Sequence, residues 1–185
     1  VNSNGIRNFL AEFFNGDQFF SNQEKTVDVV LMAPCAPAQD VLELIEEPEY
    51  SMYLHYIAGS VLSKKDLKRA AVGQAQAIWL LSDKFDREAA DEADSLMILR
   101  CLQVARYVEE SPQTPPVHLQ LVMPQNREKF LLGGIDNNTV SVTCLDEMKM
   151  NMLARSFSAP GCFTLFNNLC TSAPVPSYPK GELPP

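Results

Sequence analysis

Six carboxylates crowd into one short stretch of the chain: Asp83, Asp86, Glu88, Asp91, Glu92 and Asp94. Hard cations such as calcium and magnesium collect several oxygen ligands, so this cluster is the first candidate for chemistry. Asp91 and Asp94 stand three apart and share one helical face, which makes them the leading pair. Glu92 and Asp86 are supplementary candidates, and Gln120, on an apolar strand, is a weaker one. The bland alternative is that acids favour the positive N-terminal end of a helix beginning near Arg87. Joint replacement of Asp91 and Asp94 by alanine is expected to weaken a ligand response and leave the fold intact.

Other reactive residues stay apart in the sequence. His55 and His118 are the only imidazoles, and neither has a ligand cluster beside it. Cys35, Cys101, Cys144, Cys162 and Cys170 are odd in number, widely spread and contain no CxxC pair, which disfavours a disulfide framework or a zinc site. Most of them are expected to behave as small buried hydrophobes. Ser60 follows Gly59 but lacks the G-x-S-x-G setting of an activated nucleophile. Trp79, inside an apolar run, is expected to anchor a core. Met148, Met150 and Met152 are expected to fill a core or an interface.

The elements that must position these residues alternate along the chain. Ile6, Phe9, Leu10, Phe13 and Phe14 form a helical stripe, and 27–32 is a short β-branched run ending at Ala33-Pro34. A short helix over 39–47 stops at Pro48, a strand covers 52–57, and Gly59-Ser60 turns the chain. Ser63 with Asp66 three residues on has the form of a capping box before a helix over 67–71. The remaining expectations are a strand over 75–81, a long helix over 87–108 stopped by Pro112, a strand over 117–122 and a short helix over 126–132. A turn at Gly133-Gly134 and a strand over 139–144 follow. A helical pair, 145–157 and 162–170, is broken at Ala159-Pro160-Gly161, and its apolar residues cover much of its circumference.

Alternating strands and helices define an α/β class, a Rossmann-like parallel sheet flanked by helices with a C-terminal helix-turn-helix. Residues 1–144 form the Rossmann-like lobe, 145–172 the helical pair and 173–185 a proline-rich tail or linker. The chain opens almost at the first helix, so the first strand of the lobe is expected to be missing. No GxGxxG is present, and a nicotinamide cofactor has no residue-level support. A net charge of -8 argues against nucleic acid as a partner. Apolar runs such as 77–81 fall well short of the roughly 20 residues needed to span a bilayer.

The stretch Tyr56-Ile-Ala-Gly-Ser-Val-Leu-Ser-Lys-Lys-Asp-Leu-Lys-Arg69, followed by the strand 75–82, resembles the GSVL-x-x-x-DL-x-R element of RCK domains in Slo-type potassium channels. The block Asp86-Arg-Glu-Ala-Ala-Asp91, continuing through Asp94 to Ile98-Leu-Arg100, resembles the acidic turn and helix after that strand. His118-Leu-Gln120 and the helical pair with its Pro160-Gly161 break are similar to the family's later strand and crossover helices, so the resemblance runs from about Gly5 to Ser172. It implies a non-enzymatic, ligand-sensing domain on the cytoplasmic side of a membrane, part of a tetrameric gating ring. The partners implied are a second RCK domain, neighbouring subunits and a pore, and the implied ligand is Ca2+, Mg2+ or Na+. Gln120 aligns with a glutamine near a divalent site of the calcium-activated branch. Ala89 and Ala90 stand where that branch carries more acids. The rival readings are a Rossmann-like nucleotide-binding enzyme domain lacking its first strand, and a non-sensing assembly scaffold.

Overall fold

Short β-branched runs and amphipathic stretches become, in a computed structural model of the chain, five strands and seven α-helices among the described residues, which are 3–14, 27–82, 90–132 and 139–171. In order they are α1 (Ser3–Phe13), β1 (Val29–Ala33), α2 (Gln39–Glu46), β2 (Leu54–Ala58), α3 (Lys64–Arg69), β3 (Ile78–Leu80), α4 (Ala90–Glu109), β4 (Val117–Leu121), α5 (Pro124–Leu132), β5 (Val140–Cys144), α6 (Leu145–Ser158) and α7 (Cys162–Cys170). A 3-10 turn at Val72–Gln74 precedes β3, which covers Ile78–Leu80 where 75–81 is expected from the sequence. Asp83, Asp86, Glu88, the expected turn at Gly133-Gly134 and the proline-rich tail lie outside the described residues.

Every strand pair is parallel. The strands form two blocks, β1-β2 and β3-β4-β5. A doubly wound sheet of spatial order 3-2-1-4-5-6 leaves these two blocks when its first strand is taken out. β1 and β2 then hold the second and third places, and β3, β4 and β5 the fourth, fifth and sixth. The α/β, Rossmann-like class expected from the sequence is the architecture observed.

Each block has its own core. On the three-stranded side, Leu80, Val117, Leu119, Leu121 and Val140 pack against Met97, Cys101, Val104 and Val108 of α4 and Phe130 of α5. The buried positions of α4 recur at three- and four-residue steps, which aims one stripe at the sheet. On the two-stranded side, Leu10 of α1, Leu44 of α2, Tyr50 and Leu54 of β2 cluster together. The ion pair from Arg7 to Glu47, 2.6 Å, ties α1 to the end of α2.

Two burial expectations fail. Trp79 is 50% exposed instead of anchoring a core. Ile78 and Leu80 take the face that packs on α4, so strand alternation turns Trp79 to the other face. There it stacks on His118 with ring centroids 5.3 Å apart and meets Phe9 edge-on. Of the five free cysteines, only Cys101 and Cys144 are buried, because Cys35 sits in a loop and Cys162 and Cys170 lie on the open helical pair.

Candidate functional site

The loop after β2 is built by side chains three to ten residues further on. Ser63 caps α3 by accepting from the Asp66 amide at 3.4 Å. The acid does not complete a reciprocal box: its carboxylate accepts from the Ser60 amide at 3.1 Å, one turn of chain earlier. Arg69 pairs with Asp66 at 3.5 Å and also donates to the carbonyl oxygen of Ala58, the last residue of β2. Gly59 is required by this closure, since a Cβ there would stand 3.0 Å from Asp66 Cγ and 3.2 Å from an Arg69 nitrogen. The spacing GSVL-x-x-x-DL-x-R is therefore a self-latching turn at the C-terminal edge of the sheet. Tyr56 adds a second latch by donating its hydroxyl to Cys35 O at 2.7 Å, and burial pushes its phenol above the ordinary 10.0.

Asp94 is wholly buried at the start of α4. Its carboxylate accepts from the Ser82 hydroxyl at 3.1 Å, from the Val122 amide at 3.0 and 3.1 Å, from the Met123 amide at 2.9 Å and from Asn126 Nδ2 at 3.1 Å. One side chain thus joins the ends of β3 and β4, the entry to α5 and the first turns of α4. The two amides just ahead of α5 have no carbonyl to reach in their own helix, and Asp94 supplies it. Asn126 itself is buried, and its Oδ1 has no hydrogen-bond partner.

Asp91 and Glu92 share that first turn but are exposed. Lys129 of α5 holds Asp91 at 3.2 Å, and its hydrogen bond, followed by that of Asn126, lowers the Asp91 carboxyl below its ordinary 3.8. Asp94 and Asp91 are one helical turn apart in opposite environments, one enclosed by donors and one in solvent. Gln120 lies on β4 opposite Thr143, on the strand face away from Leu119 and Leu121. Among the described residues no three of His, Cys, Asp and Glu converge as metal ligands. Asp94 has its oxygens filled by N–H and O–H donors and Asp91 is neutralised by a lysine, so these residues do not by themselves fit a cation. His55 is exposed, 3.9 Å from Asp28, and His118 is stacked beneath Trp79.

The second surface of consequence is the α6–α7 pair. Asp146 donates its amide to Val122 O at 3.3 Å, and Glu147 receives Arg127 at 2.8 and 3.0 Å, which pins the first turn of α6 to α5. Beyond that turn the helices leave the domain. Gly161 adopts a left-handed φ of 87° between them, a conformation that suits a residue without Cβ, and Pro160 before it cannot continue α6. Neither helix contains a buried residue. Phe157 is 91% exposed and Leu169 70%, and Met150, Leu153, Phe163 and Leu165 are open as well. A groove of about 350 Å³ runs where α6 and α7 meet β5, lined by Arg127, Glu147, Met152, Arg155, Phe163 and Phe166 among others.

A family profile described as the calcium-activated potassium channel slowpoke-like RCK domain matches residues 1–144. The chain belongs to this Slo-like RCK family. A second profile, the calcium-activated BK potassium channel alpha subunit, matches residues 140–181 and so takes in α6 and α7. Among curated proteins, potassium channel subfamily U member 1 of Mus musculus is 25% identical over 97% of this chain and 15% of its own length. Potassium channel subfamily T member 1 of Homo sapiens is 29% identical over 89% of this chain and 12% of its own. The calcium-activated potassium channel slo-1 of Caenorhabditis elegans is 25% identical over 91% and 14%. The RCK domain therefore spans only a small part of the length of these channels. A solved structure of the human SLO3 gating ring superposes with a TM-score of 0.62 at 21% identity, covering 83% of this chain and 26% of that one, which shows the shared fold.

Membership makes this a regulatory domain of a potassium-channel family, and the enzyme reading falls with it. Among the described residues of this RCK domain no helix is long and apolar enough to cross a membrane. Sequence reasoning missed the roles of Ser82, Val122 and Asn126 around Asp94. Val122 and Met123 contribute backbone amides, which no residue type advertises, and Asn126 stands 32 positions away from the acid it serves.

Proposed function

We propose that this RCK domain sits on the cytoplasmic side of a membrane in a tetrameric gating ring, pairs there with a second RCK domain, and transmits ligand-driven movement of the ring to a pore. The observation that carries this reading is the α6–α7 pair, two helices projecting from a folded lobe with their apolar side chains uncovered. Apolar surface of this extent on a soluble lobe marks a contact with another protein element. The BK alpha-subunit match over residues 140–181 supports a channel setting for that segment. The lobe supplies a rigid mount: Arg127–Glu147 fixes α6 to α5, and Asp94 fixes α5 to α4 and the sheet. A regulatory Ca2+, Mg2+ or Na+ belongs to the proposal only at the level of the ring. Asp91, paired with Lys129, and Glu92 are the exposed acids of that turn, and no coupling step is assigned to them or to Asp94.

The test replaces Phe157, Phe163 and Leu165 by serine in the parent channel. Loss of ring assembly or a displaced activation curve is expected, with the lobe still folded. Channels that assemble and open like the parent would overturn the reading, and calorimetry that detects no binding of Ca2+, Mg2+ or Na+ to the intact gating region would favour the scaffold alternative.

A further inference from the structure

The apolar side chains of the helical pair fall into two sets. Met148 and Met152 of α6, with Phe163 and Phe166 of α7, line the groove against β5. Met150, Leu153 and Phe157 are absent from that lining, and helical spacing puts them on the opposite side of α6. On α6 the lining positions 147, 148, 151, 152 and 155 recur at one- and three-residue steps, so they form a single stripe. The stripe runs about 12 Å, from Glu147 at the base to Arg155 near the turn. The outer set suits a protein contact, whereas the inner one encloses a space of its own.

The charges of that space are not balanced within the chain. Glu147 is the one acid among the described lining residues, and Arg127 engages both of its oxygens through a single nitrogen, Nη1, at 3.0 and 2.8 Å. Arg127 Nε is buried without a hydrogen-bond partner. The Arg155 guanidinium has neither an ion pair nor a hydrogen bond among the described residues. The groove therefore holds surplus positive charge on a chain whose net charge is -8. An apolar channel with an unpaired guanidinium at its outer end is complementary to a molecule with one anionic head and an apolar body. The guanidinium fork matches a carboxylate with two parallel hydrogen bonds. Methionine side chains and phenyl rings adapt to the body. A volume of about 350 Å³ stands at the small end of ligand sites, which favours one short molecule.

We propose that the groove between α6, α7 and β5 binds a small amphipathic carboxylate, its head on Arg155 and its apolar body along Met148, Met152, Phe163 and Phe166. A ligand seated there touches both helices and the lobe at once, and so stiffens the pair. The inference stands on the groove alone and does not require the ring. Decanoate is the probe, because its extended chain roughly matches the stripe, and decanol is its uncharged counterpart. The 185-residue chain, carrying isotope-labelled methionine methyl groups, is titrated with each below the micelle concentration. The methyl signals of Met148 and Met152 should shift and saturate with decanoate. Those of Met97, in the sheet core, and of Met150, on the far side of α6, should stay in place. Arg155→Ala should weaken decanoate about fivefold or more and leave decanol nearly unchanged, and Arg155→Lys should recover part of the loss. Met152→Glu, which sets an acid in the apolar channel, should abolish decanoate binding. Unmoved signals at Met148 and Met152 would overturn the inference. Decanol that binds as tightly as decanoate would do the same, and so would a shift at Met150 equal to that at Met152, the mark of a detergent-like coating of both helix faces.

Discussion

Replacing Asp94 by alanine should cost more stability than any other single change to an acid among the described residues. The carboxylate serves four donor groups, those of Ser82, Val122, Met123 and Asn126. The Ser82 hydroxyl can rotate and Asn126 can shift, but the two backbone amides are fixed by the turn into α5. Each buried donor left without an acceptor costs about 1–3 kcal/mol, so two of them place the loss at roughly 2–6 kcal/mol, toward the lower end where water reaches them. For a chain of this size that corresponds to a fall in Tm of about 4–24 °C. Asp94→Asn keeps one acceptor oxygen but turns an NH2 group toward donors, and should lose about half as much. Asp91→Ala, which removes an exposed pair with Lys129 and a hydrogen bond with Asn126, should leave the unfolding midpoint close to the parent's. Urea and thermal unfolding of the three variants give the comparison. If Asp94→Ala stays within about 1 kcal/mol of the parent, or if Asp91→Ala costs as much, Asp94 is not the strut described here. The same result bears on the double alanine substitution: weakened ligand response in that variant would reflect a loosened lobe as readily as a lost ligand.

Cys35, Cys162 and Cys170 are exposed and Cys101 and Cys144 buried. A thiol-reactive dye should accordingly label the three exposed cysteines quickly in the native chain and the other two only after denaturant is added; prompt labelling of all five would contradict the packing of α4 and β5. Burial pushes the Cys101 thiol from its ordinary 9.0 up to about 12. Its folded form therefore keeps the proton longer than the unfolded one, so this contribution to stability is complete below pH 9 and lost as pH rises through 12. Cys101→Ala should flatten that part of the alkaline decline, and an identical pH slope would show that the thiol is not desolvated. Gly59→Ala should destabilise by about 1–3 kcal/mol by forcing Asp66 and Arg69 apart, with Asp66→Ala partly relieving the clash; additive losses in the two-site variant would deny the contact.

The fold class was legible because its signals are local. β-branched runs ending at prolines, the three- and four-residue stripe of α4 and the Ser63 cap each concern a few neighbouring residues, and all of them point to the same alternating architecture. The division of the strands into β1-β2 and β3-β4-β5 is not a local signal, and it comes from the structure alone. The candidate site was not legible to the same degree. Six closely spaced acids display charge, but the partners of the two leading ones are set by residues far along the chain: Lys129 for Asp91, and Val122 with Met123 for Asp94. Those partners separate a solvent-facing carboxylate from a buried strut only one turn away. Trp79 fails for a related reason. An apolar run in a strand fully covered on both faces looks the same as one with an open edge, and only the pairing tells them apart.

The helical pair carries the energetic argument furthest. Helices of 14 and 9 residues with nothing fully buried gain little stability from packing on the lobe, and isolated helices of this length are marginal in water. Their persistence is therefore tied to whatever covers Met150, Leu153, Phe157, Phe163, Leu165 and Leu169. Burying each such side chain is worth about 1.5–3 kcal/mol, so full cover supplies on the order of 10 kcal/mol before the costs of association are met. Driving a two-state ring from one form almost wholly to the other takes about 5.5 kcal/mol. A difference of two or three covered side chains between the two ring forms is enough. In the ring proposed above, the switch would need no large rearrangement inside the lobe, only a change in how far a partner overlaps α6 and α7. A lobe held rigid by Asp94 and by Arg127–Glu147 suits that role, because strain applied to the helices reaches the sheet instead of being absorbed at their base.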